Sequence, residues 1–512
     1  MNATQKTMMN ANLFSRLFDD LDDPARPAIE TIAGARISYG ELVARAGQMA
    51  NVLVDRGVKP GDRVAAQTEK SVPALVLYLA AVRAGAVYLP LNTAYTLNEL
   101  EYFITDAEPS LVVCDPSKAE GIGRICSKVG AKVDTLGADG NGSLSDAATT
   151  ASANFETIRR ADDDLAAILY TSGTTGRSKG AMLTHDNLAS NSLSLVGYWR
   201  FSDQDVLIHA LPIYHTHGLF VASNVTLFAR ASMIFLPKFD PELIIKLMAR
   251  ATVLMGVPTF YTRLLQSPAL TRESTKHMRL FISGSAPLLA DTHREWFART
   301  GHAVLERYGM TETNMNTSNP YAGDRVPGAV GHPLPGVSLR VTDPETGKEL
   351  ARDNVGMIEV KGPNVFKGYW RMPEKTKAEF RNDGFFITGD LGKIDSKGYV
   401  HILGRGKDLV ISGGFNVYPK EIESEIDAMP GVIESAVIGV PHADFGEGVT
   451  AVVVCDKGAN IDESSVLKAL EGRLAKFKMP KRVIVVEQLP RNAMGKVQKN
   501  ILRDTYSNIY SK

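Results

Sequence analysis

The 512-residue sequence has little cysteine and no net charge. Its three cysteines, Cys114, Cys126 and Cys455, have neither the paired spacing of a disulfide framework nor a His/Cys cluster suited to zinc. This cysteine content fits a reducing compartment, which we expect to be the cytoplasm. Lys and Arg total 57, as do Asp and Glu. This balance argues against a broad surface for nucleic acid or anionic membrane.

The sequence also lacks an apolar run long enough to span a membrane. The longest one, residues 73–91, is interrupted by Arg83 and Gly85. Residues 1–13 contain a single charge, Lys6, and no apolar core of the signal-peptide type. We therefore expect a flexible leader and no membrane partner.

The chain is too long for one hydrophobic core, so we expect two or more domains. From residue 28 onward, short apolar strands alternate with helix-period segments, which predicts an α/β fold with parallel sheet covered by helices. Predicted elements are a helix from Ser38 to Gly57, a strand at 63–67, helices at 72–83 and 185–198, and a surface excursion at 137–154.

The pattern changes in the last third of the sequence. Between residues 328 and 410, many short β-type segments separated by Gly and Pro turns predict an antiparallel β subdomain. After residue 419, helix-period and strand-period segments predict a small α+β unit. The sequence therefore predicts a large N-terminal domain of mixed and parallel sheets, followed by a smaller C-terminal domain.

A polar loop follows the apolar run at 165–169. Residues 170–180 read Tyr-Thr-Ser-Gly-Thr-Thr-Gly-Arg-Ser-Lys-Gly, with three glycines and five Ser/Thr hydroxyls in eleven residues. Glycines let backbone N–H groups converge, and hydroxyls add donors, so the loop suits a polyphosphate. It is not a Walker A loop, because two residues separate Gly173 from Gly176 and Gly180 follows Lys179.

Further polar motifs follow other predicted strands. His215-Thr-His217 comes just after a strand's carboxyl end, where open α/β sheets bind ligands. A single loop histidine is, however, often only a hydrogen-bonded structural residue. The remaining motifs are Ser283-Gly-Ser-Ala286, residues 305–312 (Leu-Glu-Arg-Tyr-Gly-Met-Thr-Glu), residues 385–391, residues 404–420 and residues 490–499.

Taken together and in this order, the motifs resemble those of the adenylate-forming superfamily of acyl-CoA synthetases, aryl-CoA ligases and adenylation domains. The resemblance covers roughly residues 13–502. It implies a large domain at 1–406 and a mobile C-terminal domain at 407–512, with Lys407 at the hinge. It also implies two steps: a carboxylate attacks the α-phosphate of ATP to give an acyl-adenylate and pyrophosphate, and the thiol of coenzyme A then displaces AMP.

The resemblance assigns nucleotide contacts to matching residues. Glu312 would hold Mg²⁺, because carboxylate oxygen suits that ion. Thr311 would bind the α-phosphate, and Lys496 would supply the catalytic cation for the charged transition state. The other implied contacts are Thr171, Ser172, Gly173, Thr174, Thr175, Gly176, Arg177, Ser178 and Lys179 for the β- and γ-phosphates; Tyr308, Gly309, Gly284, Ser285 and Ala286 for adenine; Asp390 and Arg405 for ribose; and Gly413 and Gly414, with Phe415, for the pantetheine of coenzyme A.

Arg307 is the informative residue for the acid. The segment at 306–312 resembles the malonyl-CoA synthetase branch, in which an arginine here would clamp a second carboxylate. Arg263 is the second candidate for this role. The competing interpretation is that Arg307 pairs with Glu306 or with a carboxylate of the core, and that Arg263 is a surface charge on a helix. His215 and Thr216 would contact the near carboxylate, and Ser283 and Ser285 the acyl group.

Several functions stay open at this point. The acid could be malonate, or another acid such as acetate, methylmalonate, succinate or a medium chain. A carrier-loading adenylation domain is a further alternative. A regulatory nucleotide-binding protein without turnover would lack Lys496, Glu312 or Asp390, and all three are present. The resemblance also implies control by a protein acetyltransferase and deacetylase acting on Lys496.

Overall fold

The computed structural model describes residues 10–171, 178–412, 415–442, 445–474, 476–492 and 495–510. Over these residues the chain forms four sheets with helices packed on them, and three belong to the large N-terminal part. Within the same ranges, none of the helices is long and apolar enough to cross a membrane.

The largest sheet has nine strands. Its six central strands are parallel and its edge strands are antiparallel, which confirms the α/β prediction. In spatial order the strands are His332–Pro333, Asn314–Ser318, Leu305–Met310, Leu280–Ser283, Val253–Gly256, Val206–His209, Ser232–Phe235, Pro27–Thr31 and Arg36–Ser38.

A second sheet of seven strands carries the polar loop. Strand Leu165–Thr171 leads into this loop and Lys179–Thr184 leads out of it, and the two pair antiparallel with Thr171 opposite Lys179. The five strands from Leu165–Thr171 onward are parallel. In spatial order the strands are Gly368–Tyr369, Lys179–Thr184, Leu165–Thr171, Val87–Pro90, Arg63–Gln67, Leu111–Cys114 and Lys132–Thr135.

Helices cover these two sheets. The helix predicted after Ser38 is confirmed as Tyr39–Asp55, and Ser38 and Glu41 form a capping box at its start. The α-helices of the N-terminal part are Leu13–Phe18, Tyr39–Asp55, Val72–Arg83, Leu97–Ala107, Ala119–Cys126, Ser143–Thr150, His185–Tyr198, Asn224–Phe228, Pro241–Leu247, Pro258–Leu265, Ala290–Thr300 and Pro373–Ala378. Three more, Pro419–Asp427, Glu463–Leu470 and Lys499–Thr505, pack on the C-terminal sheet.

Two expectations need correction. The excursion predicted at 137–154 contains helix Ser143–Thr150, which packs on Tyr39–Asp55 and buries Leu144. One buried leucine among Ser, Thr and Ala was too weak a periodic signal to reveal it. The expected leader does not extend to residue 13, because Asn12 caps a helix that starts with buried Leu13. Residues 1–9 lie outside the described ranges.

The last third of the chain forms two further sheets, as predicted. The four-stranded antiparallel sheet consists of Ser338–Thr342, Gly356–Lys361, Phe386–Ile394 and Val400–Arg405. The C-terminal sheet consists of Phe415–Val417, Val410–Ser412, Gly446–Cys455, Val432–His442 and Arg482–Val486. A short 3-10 turn, Gly406–Asp408, joins the two sheets.

Candidate active site

A cavity of about 780 Å³ lies where the large sheets meet the C-terminal domain. Both parts of the chain contribute to its wall, since Lys407, Asn492, Lys496 and Gln498 face residues of the N-terminal sheets. The predicted site residues that line it are Thr171, Lys179, His215, Thr216, Ser285, Arg307, Gly309, Thr311, Glu312, Arg405 and Lys496. Sequence motifs more than 300 residues apart therefore converge on one space.

Other predicted site residues lie elsewhere. Ser178, Ser283, Gly284, Ala286, Tyr308 and Asp390 are described but are not among the lining residues. Arg263 is exposed on helix Pro258–Leu265, also away from the lining, so its role in acid binding stays a prediction. Ser172, Gly173, Thr174, Thr175, Gly176, Arg177, Gly413 and Gly414 lie outside the described residues.

Arg307 is buried at one end of the cavity. It is 4% exposed, and its Nε and Nη2 atoms have no hydrogen-bond partner among the described residues. Burial lowers the pKa of Arg307 to about 9, and the smaller electrostatic effect of the nearby Tyr261 acts in the opposite direction. An uncompensated buried cation with two unused donors is costly. Arg307 therefore has the properties of a group that awaits an anionic ligand.

The geometry argues against Glu306 as the partner of Arg307. Glu306 Oε1 accepts the Gly328 N–H at 3.2 Å and lies 3.6 Å from His293 Nδ1. Burial raises the pKa of Glu306 to about 8. Because side chains alternate along strand Leu305–Met310, Glu306 and Arg307 point to opposite faces of the sheet.

Gly284 makes room for the arginine. A Cβ atom on Gly284 would lie 2.4 Å from Arg307 Cζ and 2.6 Å from its Nε. Glycine is therefore the residue that lets the guanidinium lie against the turn after strand Leu280–Ser283. The sequence interpretation placed Gly284 on an adenine face, and the contact seen here is with the proposed acid clamp.

The His215–His217 motif adds unpaired polar atoms to the same end. Three buried atoms have no hydrogen-bond partner among the described residues: Thr216 Oγ1, His217 Nε2 and Ser283 Oγ. His217 Nδ1 lies 3.2 Å from Ser285 Oγ. Burial, reinforced by the charge of Arg307, lowers the pKa of His215 to about 4. His215 is therefore a neutral hydrogen-bonding group at pH 7.

Tyr308, Asp390 and Arg405 meet at a second region beside the cavity. The Tyr308 hydroxyl donates to Asp390 Oδ2 at 2.5 Å, and Arg405 Nε lies 2.9 Å from Asp390 Oδ1. Asp390 and Arg405 face each other across adjacent strands. The charge of Asp390 is the main cause that raises the pKa of Arg405. A carboxylate held in place by a cation and a phenol can accept hydrogen bonds from vicinal hydroxyls.

Glu312 and Lys179 are connected by a polar network that runs through Tyr369 and Glu379. The Tyr369 hydroxyl lies 3.0 Å from Glu312 Oε1 and 2.6 Å from Glu379 Oε2. Glu379 Oε1 accepts from Lys179 Nζ at 3.2 Å and pairs with Lys375 at 2.8 Å. Sequence reasoning missed Tyr369 and Glu379, because neither lies in a motif that marks this chemistry.

The surroundings of Glu312 fit a divalent cation. Burial raises the pKa of Glu312, so its charged form lacks full compensation. Among the described residues, no group of three His, Cys, Asp or Glu side chains converges on a metal position. Mg²⁺ usually takes one or two protein carboxylates and fills its shell with water and phosphate oxygens. Glu312 fits that pattern.

Lys496 lies on a tight turn that reaches the cavity. Asn492 Oδ1 accepts the Lys496 N–H at 3.0 Å, and the Asn492 N–H donates to the Lys496 carbonyl at 3.0 Å. The adjacent Arg491 bonds to the Gly495 carbonyl and to Glu434. Surrounding protein atoms, followed by the charge of Arg405, lower the pKa of Lys496 although the residue keeps exposed surface.

The turn also contacts the N-terminal domain. Gly495 has φ +74°, and a Cβ there would lie 3.6 Å from Thr259 Oγ1 on helix Pro258–Leu265. Elsewhere in the C-terminal domain, Arg503 Nη1 lies 2.8 Å from Asp408 Oδ1, beside Lys407. Gly495 thus lies close to the N-terminal domain, and an ion pair holds Asp408 to the last α-helix of the described chain.

Comparison with known proteins gives the family. The sequence pattern of the AMP-binding enzymes matches residues 21–370, and that of the AMP-binding enzyme C-terminal domain matches residues 421–496. The chain belongs to the AMP-binding enzyme family. The malonate–CoA ligase of Arabidopsis thaliana is 36% identical to this AMP-binding enzyme, over 93% of this chain and 85% of the relative.

Solved structures agree with this assignment. ATP-bound MatB from Rhodopseudomonas palustris is 82% identical and superposes with a TM-score of 0.97, covering 98% of this chain and 100% of MatB. The apo form of the same protein, at the same identity and coverage, gives a TM-score of 0.86. The arrangement described here, with Lys496 at the cavity, is thus more similar to the ATP-bound form.

Proposed function

We propose that this AMP-binding enzyme is a malonate–CoA ligase. Malonate and ATP would give malonyl-adenylate and pyrophosphate, and coenzyme A would then give malonyl-CoA and AMP. The observation that carries the proposal is the buried guanidinium of Arg307, with two unpaired nitrogens beside the cavity. A monocarboxylic acid would leave that cation uncompensated, whereas the second carboxylate of malonate would pair with it. The malonate–CoA ligase of Arabidopsis thaliana supports this choice.

In the first step, the protein would hold two reactants and stabilise charge. Arg307 would bind the distal carboxylate of malonate, while neutral His215 and Thr216 would orient the reacting carboxylate toward the α-phosphorus. Lys496 would neutralise charge that develops on the phosphoryl oxygens. In comparable sites, one such group lowers the activation free energy by about 3 kcal/mol. Thr311 would bind the α-phosphate.

The nucleotide would be held along the rest of the cavity. Asp390 and Arg405 would bind the ribose, and Tyr308 would lie against the adenine. Lys179 would leave Glu379 for the β- and γ-phosphates, and Lys375 would remain to compensate Glu379. Glu312 would hold Mg²⁺, which neutralises phosphate charge when bound.

The second step would need the C-terminal domain to turn. We propose that residues 1–406 and 407–512 are the two moving bodies, with the hinge at Lys407 in the turn Gly406–Asp408. Rotation would remove Lys496 from the cavity and bring the segment at Gly413 and Gly414 to the pantetheine of coenzyme A. The three cysteines, all free, are compatible with the reducing cytoplasm we expect.

Product analysis tests the proposed reaction. The reaction with malonate, ATP, Mg²⁺ and coenzyme A is analysed by chromatography and mass spectrometry. It should give malonyl-CoA, AMP and pyrophosphate in equal amounts. Without coenzyme A, enzyme-bound malonyl-adenylate and one equivalent of pyrophosphate should form. ADP and phosphate as products, or thioester formation from a supplied carrier protein but not from coenzyme A, would reject it.

We further propose that acetylation of Lys496 controls the enzyme, through an acetyltransferase and a deacetylase. The lysine retains exposed surface even in this arrangement, and acetylation removes its charge. Protein with acetyl-lysine installed at 496 should lose adenylation yet convert supplied malonyl-adenylate to malonyl-CoA. Normal pyrophosphate release, or equal damage to both steps, would contradict the proposal.

A further inference from the structure

Lys70 contacts His209 and is not among the residues that line the cavity. Its Nζ is 2.7 Å from the carbonyl oxygen of His209 and 2.9 Å from His209 Nδ1. It also lies 4.3 Å from the centre of the Phe235 ring. Lys70 thus directs two of its donors at one residue, His209, which ends strand Val206–His209 and is 1% exposed.

The contacts of the other ring nitrogen show which tautomer His209 adopts in this structure. His209 Nε2 lies 3.0 Å from the Gly218 carbonyl and 3.1 Å from Ser223 Oγ. A carbonyl only accepts, so Nε2 must carry a proton. Burial, then the charge of Lys70, lowers the pKa of His209, which keeps the ring neutral. Nδ1 is therefore the bare nitrogen, and it can accept from Lys70.

Gly218, which bonds to His209, directly follows residues that line the cavity. It belongs to a π-helical segment, His217–Ser223, and such segments are frequent at functional sites. Its carbonyl also accepts the Ser223 hydroxyl at 3.0 Å. A Cβ on Gly218 would lie 1.9 Å from the Pro212 carbonyl oxygen, so the backbone at Gly218 packs directly against that of Pro212.

The residues just before Gly218 carry the functional atoms. Thr216 and His217 have buried polar atoms without partners among the described residues, and both line the cavity. Because these residues are adjacent in the chain, a shift of Gly218 would also move the polar atoms of Thr216 and His217. The chain of contacts from Lys70 through His209 to Gly218 ends beside the group that would bind the reacting carboxylate.

We propose that Lys70 is a positioning residue for the acid pocket, acting by selecting the Nε2–H tautomer of His209. The inference rests on the proposed function only for the choice of malonate as the acid. A lysine that merely filled space would affect stability but would have no reason to act through the tautomer of His209.

A double-mutant cycle tests this mechanism. Lys70→Met removes the donors and should raise the KM for malonate about tenfold, the order expected for the loss of one hydrogen bond, with little change in the KM for ATP. His209→Gln places an amide N–H near the position of Nε2. Unlike imidazole, an amide has a single tautomer, so Lys70 has nothing to select in this variant. Adding Lys70→Met to His209→Gln should therefore have a much smaller effect on the KM for malonate. An equal effect in both backgrounds would overturn the proposal.

Lys132→Met is the matched control. Lys132 Nζ donates to the Arg56 carbonyl at 2.7 Å, the same distance as the bond from Lys70 to the His209 carbonyl, but it lies on a surface strand away from the cavity. It should leave both KM values unchanged. A rise in the KM for malonate in this control as large as that in Lys70→Met would contradict a specific role for Lys70.

Nitrogen NMR of protein labelled with ¹⁵N-histidine gives a readout independent of turnover. The signals that disappear in His209→Gln identify His209, and in the wild type they should report protonated Nε2 and bare Nδ1. Lys70→Met should shift them toward tautomer exchange, and Lys70→Arg should restore the wild-type pattern. A wild-type Nδ1–H tautomer would overturn the inference, even if Lys70→Met does not fold. If malonate is not a substrate, the proposed function fails but this measurement still decides the role of Lys70.

Discussion

Glu306 and Arg307 are adjacent in the sequence but do not pair with each other. Glu306 is bonded to the Gly328 N–H on one face of strand Leu305–Met310, whereas Arg307 lies beside the cavity on the other. A neutral acid and an uncompensated cation therefore occupy opposite faces of a single strand. The charge of Arg307 remains available for a substrate anion.

Arg307→Ala should damage malonate use selectively. A substrate carboxylate buried without its partner retains its desolvation penalty, so kcat/KM for malonate should fall by about 100-fold or more. The dissociation constant for ATP should change little, because Arg307 lies at the acid end. Steady-state pyrophosphate release and nucleotide titration measure the two effects.

Arg263→Ala serves as the comparison for that variant. Its side chain is exposed, so we expect a smaller loss. If Arg307→Ala turns over malonate at nearly the wild-type rate and Arg263→Ala loses most of that activity, then Arg263 binds the second carboxylate.

Glu306→Gln should stabilise the protein in a pH-dependent manner. The folded-state pKa of Glu306 is raised to about 8, above the unfolded value, so the stability that depends on its protonation is present at low pH. That stability is lost as pH rises from about 4.5 toward 8, by about 1.4 kcal/mol per unit of pKa shift as an upper bound. Gln keeps an acceptor for the Gly328 N–H and cannot ionise. Thermal unfolding should give the wild type and Glu306→Gln equal midpoints at pH 5, and Glu306→Gln a higher midpoint at pH 8.5. A difference in midpoint that is the same at both pH values would contradict the ionisation argument.

Lys407→Pro should separate the two half-reactions. Proline fixes φ near roughly −65° and removes the N–H, so a hinge that needs two backbone conformations is restricted to one. One half-reaction should then survive much better than the other, depending on which conformation is retained. Single-turnover pyrophosphate release and thioester formation from supplied malonyl-adenylate measure the steps separately, with Lys407→Ala as control. Equal loss of both steps in a folded protein would count against this hinge.

Asn492→Ala should lower the rate of adenylation without weakening malonate binding. Its side-chain oxygen accepts the Lys496 N–H, and without it the turn that holds the lysine is less constrained. A loss of about tenfold in kcat fits one displaced hydrogen bond at a reacting group. Asn492→Thr, which retains a side-chain oxygen, should recover part of the rate. If alanine and threonine variants behave alike, the side-chain bond does not position Lys496.

Local sequence signals predicted much of the fold. Strand Arg63–Gln67 and helices Val72–Arg83 and His185–Tyr198 have the predicted bounds. Val72–Arg83 is almost entirely apolar and is capped by Ser71, and Thr184 caps His185–Tyr198. Helix Ser143–Thr150 was missed, since only Leu144 is buried in it. The spacing of apolar residues cannot reveal a helix that buries so few apolar side chains.

The site was predictable where chemistry lies in a compact motif. Arg307, Glu312 and Lys496 were singled out from sequence, and all three line the cavity. The contact of Tyr369 with Glu312 and that of Lys70 with His209 were not, since each joins segments far apart in the chain. Nothing in the local sequence around Tyr369 or Lys70 specifies such partners.

The most direct test of the central claim compares malonate with propionate. Both acids have three carbons, and they differ in the distal carboxylate that Arg307 would bind. Initial rates of pyrophosphate release should be measured for wild type and Arg307→Ala, with and without coenzyme A. Malonate should exceed propionate by about 100-fold or more in kcat/KM for the wild type, and that preference should collapse in the variant. Equal use of the two acids by the wild type, or an unchanged preference in Arg307→Ala, would contradict the account.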